Sequence, residues 1–136
     1  LKSPKFYFFD LGVARSLAKQ LTIEPQPSTG YFGELFEQLV VLEFIRRERY
    51  LLRDYQFYFL STEKNELDLI IERPGRNLAC IEIKSTTKVN EHTIRKMNFF
   101  LDVFPEADFF CLSRDKNVQN FGRIKSLPWS QGLAEI

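Results

Sequence analysis

Apolar and polar positions alternate along this chain in two rhythms, one helical and one strand-like. The stretch YFGELFEQLVVLEFIRRERY, Tyr31 to Tyr50, carries Phe32, Leu35, Phe36, Leu39, Val40, Leu42, Phe44 and Ile45 around most of a helix circumference. It predicts a helix buried on most sides. Ser28 or Thr29 stands where its first turn needs a cap. The polar exceptions Glu34, Glu37 and Gln38 fall at i, i+3 and i+4 and so stack on one face. Three strands are predicted next, in YQFYFLS, ELDLIIE and LACIEIKS, with Pro74-Gly75 as the turn between the last two; connections this short favour an antiparallel meander. In EHTIRKMNFFLDVF, Ile94, Met97, Leu101 and Phe104 recur at helical spacing, and Pro105 ends the segment. ADFFCLS reads as a further buried strand and FGRIKSLP as a last edge strand.

Ahead of Gly30 the pattern differs. KFYFF, Lys5 to Phe9, reads as an aromatic core strand, followed by Asp10 as a cap and a short helix through Leu21. TIEPQPSTG is the clearest loop. The expected organisation is an N-terminal strand-helix appendage and linker over residues 1–29 and a main domain over 30–136, whose order from Gly30 to Ser113 is helix, three strands, helix, strand. The chain starts at Leu1 rather than Met, which suggests a piece of a longer protein.

Composition narrows the class. With 136 residues, 44% apolar, 15% aromatic and 14 phenylalanines, the chain has ample material for a core and no signature of disorder. A net charge of +1 gives no bulk attraction for nucleic acid, so any basic surface must be local. Cys80 and Cys111 lie in apolar runs without CxxC or histidine neighbours, and read as buried free thiols of a reducing compartment. No apolar run reaches the roughly 20 residues that span a bilayer and no signal peptide opens the chain, so the expected location is cytoplasmic.

Within LACIEIKSTTK two charges interrupt a strand that otherwise suits a core. Glu82 and Lys84, at i and i+2, emerge on one face while Ile81 and Ile83 face the other way. An exposed ion pair would explain them without any site. A second carboxylate, Asp68, lies on the neighbouring strand, where a tight turn can bring it to Glu82; two such carboxylates can hold a hard divalent cation such as Mg²⁺ or Mn²⁺. The ion could activate water and neutralise charge on a phosphodiester, with Lys84 beside it to orient the water or meet the developing oxyanion. Glu37 would be the third acid if its helix packs on the sheet. Singly, Asp68 and Glu37 are ordinary surface charges; one acid on each of three apolar elements makes the set a candidate site.

Glu37, Leu67-Asp68 and Glu82-Ile83-Lys84, on helix, second strand and third strand, resemble the PD-(D/E)XK nuclease superfamily and its restriction-endonuclease-like α/β fold. The string Glu82-Ile83-Lys84-Ser85-Thr86 is similar to the third-strand motif of archaeal Holliday junction resolvases. Leu67 stands where the motif often has proline. Over nearly the whole chain, PKFYFFDLGVARSL, GYFGELFEQLVVLEF, FYFLSTEKNELDLIIE and IEIKST resemble the C-terminal domain of unknown function found behind a P-loop ATPase module of the AAA+ superfamily in bacteria and archaea. The resemblances imply metal-dependent cleavage of DNA, with Asp68 and Glu82 as metal ligands and Lys84 and Glu37 in catalysis. They also imply an upstream ATPase module of the same polypeptide and, because many nucleases of this fold work as dimers, a homodimer. The chain has no GxxxxGK[ST] loop, so ATP hydrolysis is not expected of these residues. The alternative is a non-catalytic regulatory module that binds nucleic acid or protein.

Lys88, His92, Arg95 and Lys96 follow the third strand and form a basic track suited to a nucleic-acid backbone, or else a solvated helix face. Arg46 to Arg49 suit the negative end of their helix dipole. Trp129 is expected in packing or at an interface.

Overall fold

The computed structural model describes residues 5–136. Its α1 (Leu11–Leu17) and α2 (Gly30–Leu51) precede β1 (Gln56–Ser61), β2 (Glu66–Glu72) and β3 (Ala79–Lys84). A helical segment follows, made of α3 (Glu91–Ile94), a 3-10 turn (Arg95–Met97) and α4 (Asn98–Val103). The chain continues through β4 (Asp108–Ser113), β5 (Gln119–Phe121), β6 (Ile124–Pro128) and α5 (Trp129–Glu135).

The strands form one mixed sheet in the order β1-β2-β3-β4-β6-β5. The expected antiparallel meander is present in β1, β2 and β3. β4 runs parallel to β3, which requires a long crossover, and the segment from α3 to α4 supplies it. Helices cover both faces. Phe36, Val40, Val41 and Phe44 of α2 pack with Leu69, Ile71, Ile81, Ile83 and Leu112 on one side, joined by Trp129 and Leu133 of α5. Ile94, Met97 and Phe100 pack with Ile70, Cys80, Phe109 and Cys111 on the other. Ala79, Ile81 and Ile83 of β3 join the first cluster and Cys80 the second, so the apolar run that opens β3 suits a central strand covered on both faces.

Several expectations change. Lys5 to Phe9 is irregular, with a bend at Phe9, and pairs with no strand among the described residues. Its aromatic residues are not core: Phe6 is 84% and Phe9 72% exposed, and only Tyr7 packs inward. The segment is a strap tied across α2, where the Gln38 amide donates to the Phe8 carbonyl at 3.0 Å and the Arg46 guanidinium to that of Phe9 at 2.9 Å. An aromatic run suits a strand, but here α2 and not a sheet edge supplies the partners of its carbonyls. The short helix ends at Leu17 rather than Leu21, with Asp10 capping it as expected. The 3-10 turn also alters the crossover: its period of three keeps Ile94, Met97 and Phe100 inward, so Phe100 is fully buried and Leu101 only partly.

β6 is interior, flanked by β4 and β5, so the edge assigned to FGRIKSLP belongs to β5. α5 gives no clear sequence signal, being seven residues long with a glycine in its middle. That glycine has a reason: a Cβ on Gly132 would stand 2.3 Å from Leu112 Cδ2, so α5 lies directly on β4. Trp129 meets Phe36 edge-on at 6.3 Å, as internal packing. Cys80 and Cys111 are buried free thiols. Among the described residues no helix is long and apolar enough to cross a membrane.

Candidate functional site

The site forms where β2 and β3 begin to part. Their ladder runs through Ile71↔Ala79, Ile70↔Cys80 and Leu69↔Ile81 and stops there. Against β1, the register passes from Tyr58↔Ile70 to Leu60↔Leu67, so Asp68 and Leu69 together face the single residue Phe59. This is a β-bulge, a device that re-aims a side chain. The clusters record the same slip: Leu69 and Ile71 pack on the α2 side, whereas Leu67 joins Ile70 on the other. Asp68 sits at the break. Its Oδ2 accepts the Ile83 backbone N–H at 2.8 Å, replacing the ladder carbonyl that a regular strand would have offered.

Asp68 is 7% exposed and Glu82 4%. Glu82 Oε1 is ion-paired with Lys84 Nζ, while Oε2 is buried without a hydrogen-bond partner. Glu37, on the third turn of α2, brings a third carboxylate. A cation already lies among these acids. Lys5 Nζ is 2.9 Å from Glu37 Oε1, 2.5 Å from Glu66 Oε1 and 3.7 Å from Asp68 Oδ1. The Tyr7 hydroxyl donates to Glu37 Oε1 at 2.8 Å.

Electrostatics follow from this crowding. Burial pushes the Asp68 carboxyl up to about 7, helped by the nearby Glu82 and Glu37 carboxylates. Burial also raises Glu82, against the opposing pull of Lys84. For Lys84, burial favours the neutral amine, but the Glu82 carboxylate outweighs it and raises the ammonium pKa above its ordinary value. Lys84 is therefore a fixed positive charge and not a base at neutral pH.

An open cleft of about 280 Å³ reaches this corner, lined by Asp68, Glu82 and Lys84 together with Lys64, Glu66 and Lys96. The basic track thus divides. Lys96 faces the acids, while His92 and Arg95 line a separate cavity of about 480 Å³ with Asn98 and Phe121. Lys88 is exposed in a turn held by Thr86.

Among the described residues no three His, Cys, Asp or Glu side chains gather closely enough to hold a metal ion by themselves. The corner instead offers two carboxylates, with the buried Oε2 of Glu82 free to accept a ligand bond. That donor set fits Mg²⁺ or Mn²⁺, which commonly take one or two protein carboxylates and complete their shell with water and phosphate oxygens.

The model of the family described as "Domain of unknown function (DUF4143)" matches residues 32–131. The chain belongs to that family. DUF4143 domains are known to follow AAA ATPase domains. No curated protein and no solved structure matches the chain. The DUF4143 match contains Glu37, Asp68, Glu82 and Lys84, together with Lys88, His92, Arg95 and Lys96; Lys5 and Tyr7 lie outside it.

Sequence reasoning missed Glu66, Lys5 and Tyr7. Glu66 was within reach, as it stands two residues before Asp68 at the head of the same strand. Nothing local in KFYFF ties Lys5 to an acid 32 residues away.

Proposed function

We propose that this DUF4143 domain binds a divalent cation through Asp68 and Glu82 and cleaves a phosphodiester of DNA, on a restriction-endonuclease-like core attached to an ATPase. The observation that carries the proposal is the buried, unpartnered Oε2 of Glu82 beside a second buried carboxylate, at the floor of an open cleft. The charge of Glu82 is paired with Lys84, but a buried polar atom left without a donor still costs about 1–3 kcal/mol in a structural role, and so points to an absent ligand. A bound Mg²⁺ would supply a Lewis acid for water and for the phosphodiester oxygens. The chain's own residues do the rest. Lys84, anchored by Glu82 and permanently protonated, presents positive charge to a phosphate at the cleft. Lys64 and Lys96 attract the backbone toward it. Glu37 holds Lys5 and Tyr7 and adds negative potential behind the two ligands.

Calorimetric titration with Mn²⁺ and Mg²⁺ tests this, comparing the parent chain with Asp68→Ala and Glu82→Ala alongside cleavage of labelled DNA. Saturable binding and cleavage should both disappear in each variant while the circular dichroism spectrum stays unchanged. Metal binding that survives intact in both variants refutes the assignment.

A second reading is favoured by the ion pairs of the same corner, since Lys5 and Lys84 already neutralise part of its charge. The domain would then be a tether that holds nucleic acid or protein for the ATPase. DNA binding that needs no Mg²⁺ and weakens steeply with salt would support it over cleavage.

A further inference from the structure

Lys5 sits at the edge of the acid corner. Its ammonium pairs with Glu37 from α2 and Glu66 from β2 and lies 3.7 Å from Asp68, all three acids inside the region matched by the family, while Lys5 itself comes from the strap outside it. Among the described residues the strap has few further holds. Two side-chain bonds from α2 to its carbonyls, the Tyr7 hydroxyl on Glu37 and the packing of Tyr7 fix it, while Phe6, Phe8 and Phe9 are left to solvent. Such a segment opens locally at low free energy. Glu82 Oε2, in the same corner, has no partner even with the strap in place.

We propose that the Lys5 strap is an autoinhibitory plug, whose ammonium competes with a divalent cation for the acid corner, so that binding of the ion and docking of Lys5 are mutually exclusive. This rests on the two-carboxylate reading above. The physical reason is direct. An ammonium 3.7 Å from an Asp68 oxygen and a dication on that oxygen would repel each other across a few ångströms of half-buried space. Removing one cation strengthens the hold on the other, and the linkage is reciprocal.

Two measurements on the 136-residue chain test it. In the first, Mn²⁺ is titrated by calorimetry into the parent, Lys5→Met and Lys64→Met. Lys64 is an exposed lysine at the same cleft and controls for bulk charge. Lys5→Met should tighten Mn²⁺ binding by roughly tenfold or more, whereas Lys64→Met should change it by less than about threefold, because exposed charges are screened. In the second, the parent is digested briefly with trypsin with and without Mn²⁺. Trypsin must take the lysine side chain into its own pocket, so cleavage after Lys5 reports its release. Mn²⁺ should speed that cut relative to the cut after the exposed Lys19.

If the parent binds Mn²⁺ but Lys5→Met binds it no more tightly and the cut after Lys5 is unaffected, the plug is refuted and the metal site stands. Weaker binding in Lys5→Met also refutes it, making Lys5 a support of the site. If neither the parent nor Lys5→Met binds Mn²⁺, both the plug and the metal reading fall.

Discussion

Two corners of this domain bury carboxylates and treat them in opposite ways. Asp115, just past β4, is 3% exposed and saturated with donors. It accepts from the backbone N–H groups of Val89 and Asn117 at 2.9 and 3.0 Å, and from the side-chain amides of Asn117 and Gln119 at 3.1 Å each. Those backbone donors hold its carboxyl below the ordinary carboxylate range. Asp68 and Glu82, near the start of β2 and the end of β3, have one backbone donor between them among the described residues, and burial drives both upward. The Asp115 corner is complete in itself and fastens the loop after β3 to the turn after β4. The Asp68 corner has lysines at its rim but leaves Glu82 Oε2 without a donor among the described residues.

The contrast can be broken most forcefully at Asp115. Asp115→Ala strands several donors and should destabilise the domain by about 2–4 kcal/mol in urea unfolding. A loss under about 1 kcal/mol would mean that water replaces the carboxylate readily and that the corner is not a structural fastener.

The opposite sign is expected at Asp68. Its folded pKa of about 7 lies above its ordinary value of 3.8, so ionising it disfavours the folded state. That penalty is absent below about pH 4, grows as pH rises, and is complete above about pH 7. Asp68→Asn should therefore stabilise the metal-free domain by roughly 2–4 kcal/mol at pH 8 and have little effect at pH 4. For Asp115, whose pKa is lowered, the stabilisation is present at neutral pH and is lost as pH falls below about 4. Unfolding curves of the parent and both variants from about pH 2 to pH 8 would show the two slopes, that of Asp115 below about pH 4 and that of Asp68 above it; a pH-independent effect of Asp68→Asn would break the comparison.

A smaller effect, unrelated to charge, checks the frame that holds both corners. Gly132→Ala would drive a methyl group into Leu112 and should cost about 1–3 kcal/mol by forcing α5 off β4. Unchanged stability would mean that α5 shifts freely.

The difference between the corners also marks how far the sequence could be read. Leu67-Asp68 and Glu82-Ile83-Lys84 are visible because a charge inside an apolar strand breaks a period of two, and the periodicities of α2 and the meander place them on adjoining elements. Asp115 has no such contrast, since it follows a strand in the polar string SRDKN, where an acid reads as surface. The strap runs against its sequence for the converse reason: KFYFF has a strand's aromatic composition, and only the completed sheet shows that among the described residues no edge receives it. α5 and the interior place of β6 are set by packing against Leu112 and β4, which no local pattern announces.

The bulge at Asp68 and Leu69 adds a consequence for inheritance. It is an extra residue on β2 without a counterpart on β1, so the direction of Asp68 is stored in a count of residues as well as in their identities. Point mutations leave that count intact, whatever they do to the side chains. Loss of Leu69 alone would close the bulge and set Asp68 opposite Phe59 as an ordinary ladder residue, with every acid of the corner still present in the sequence. In descent, then, the corner can be retuned gradually by substitution but disassembled in a single step by one missing codon.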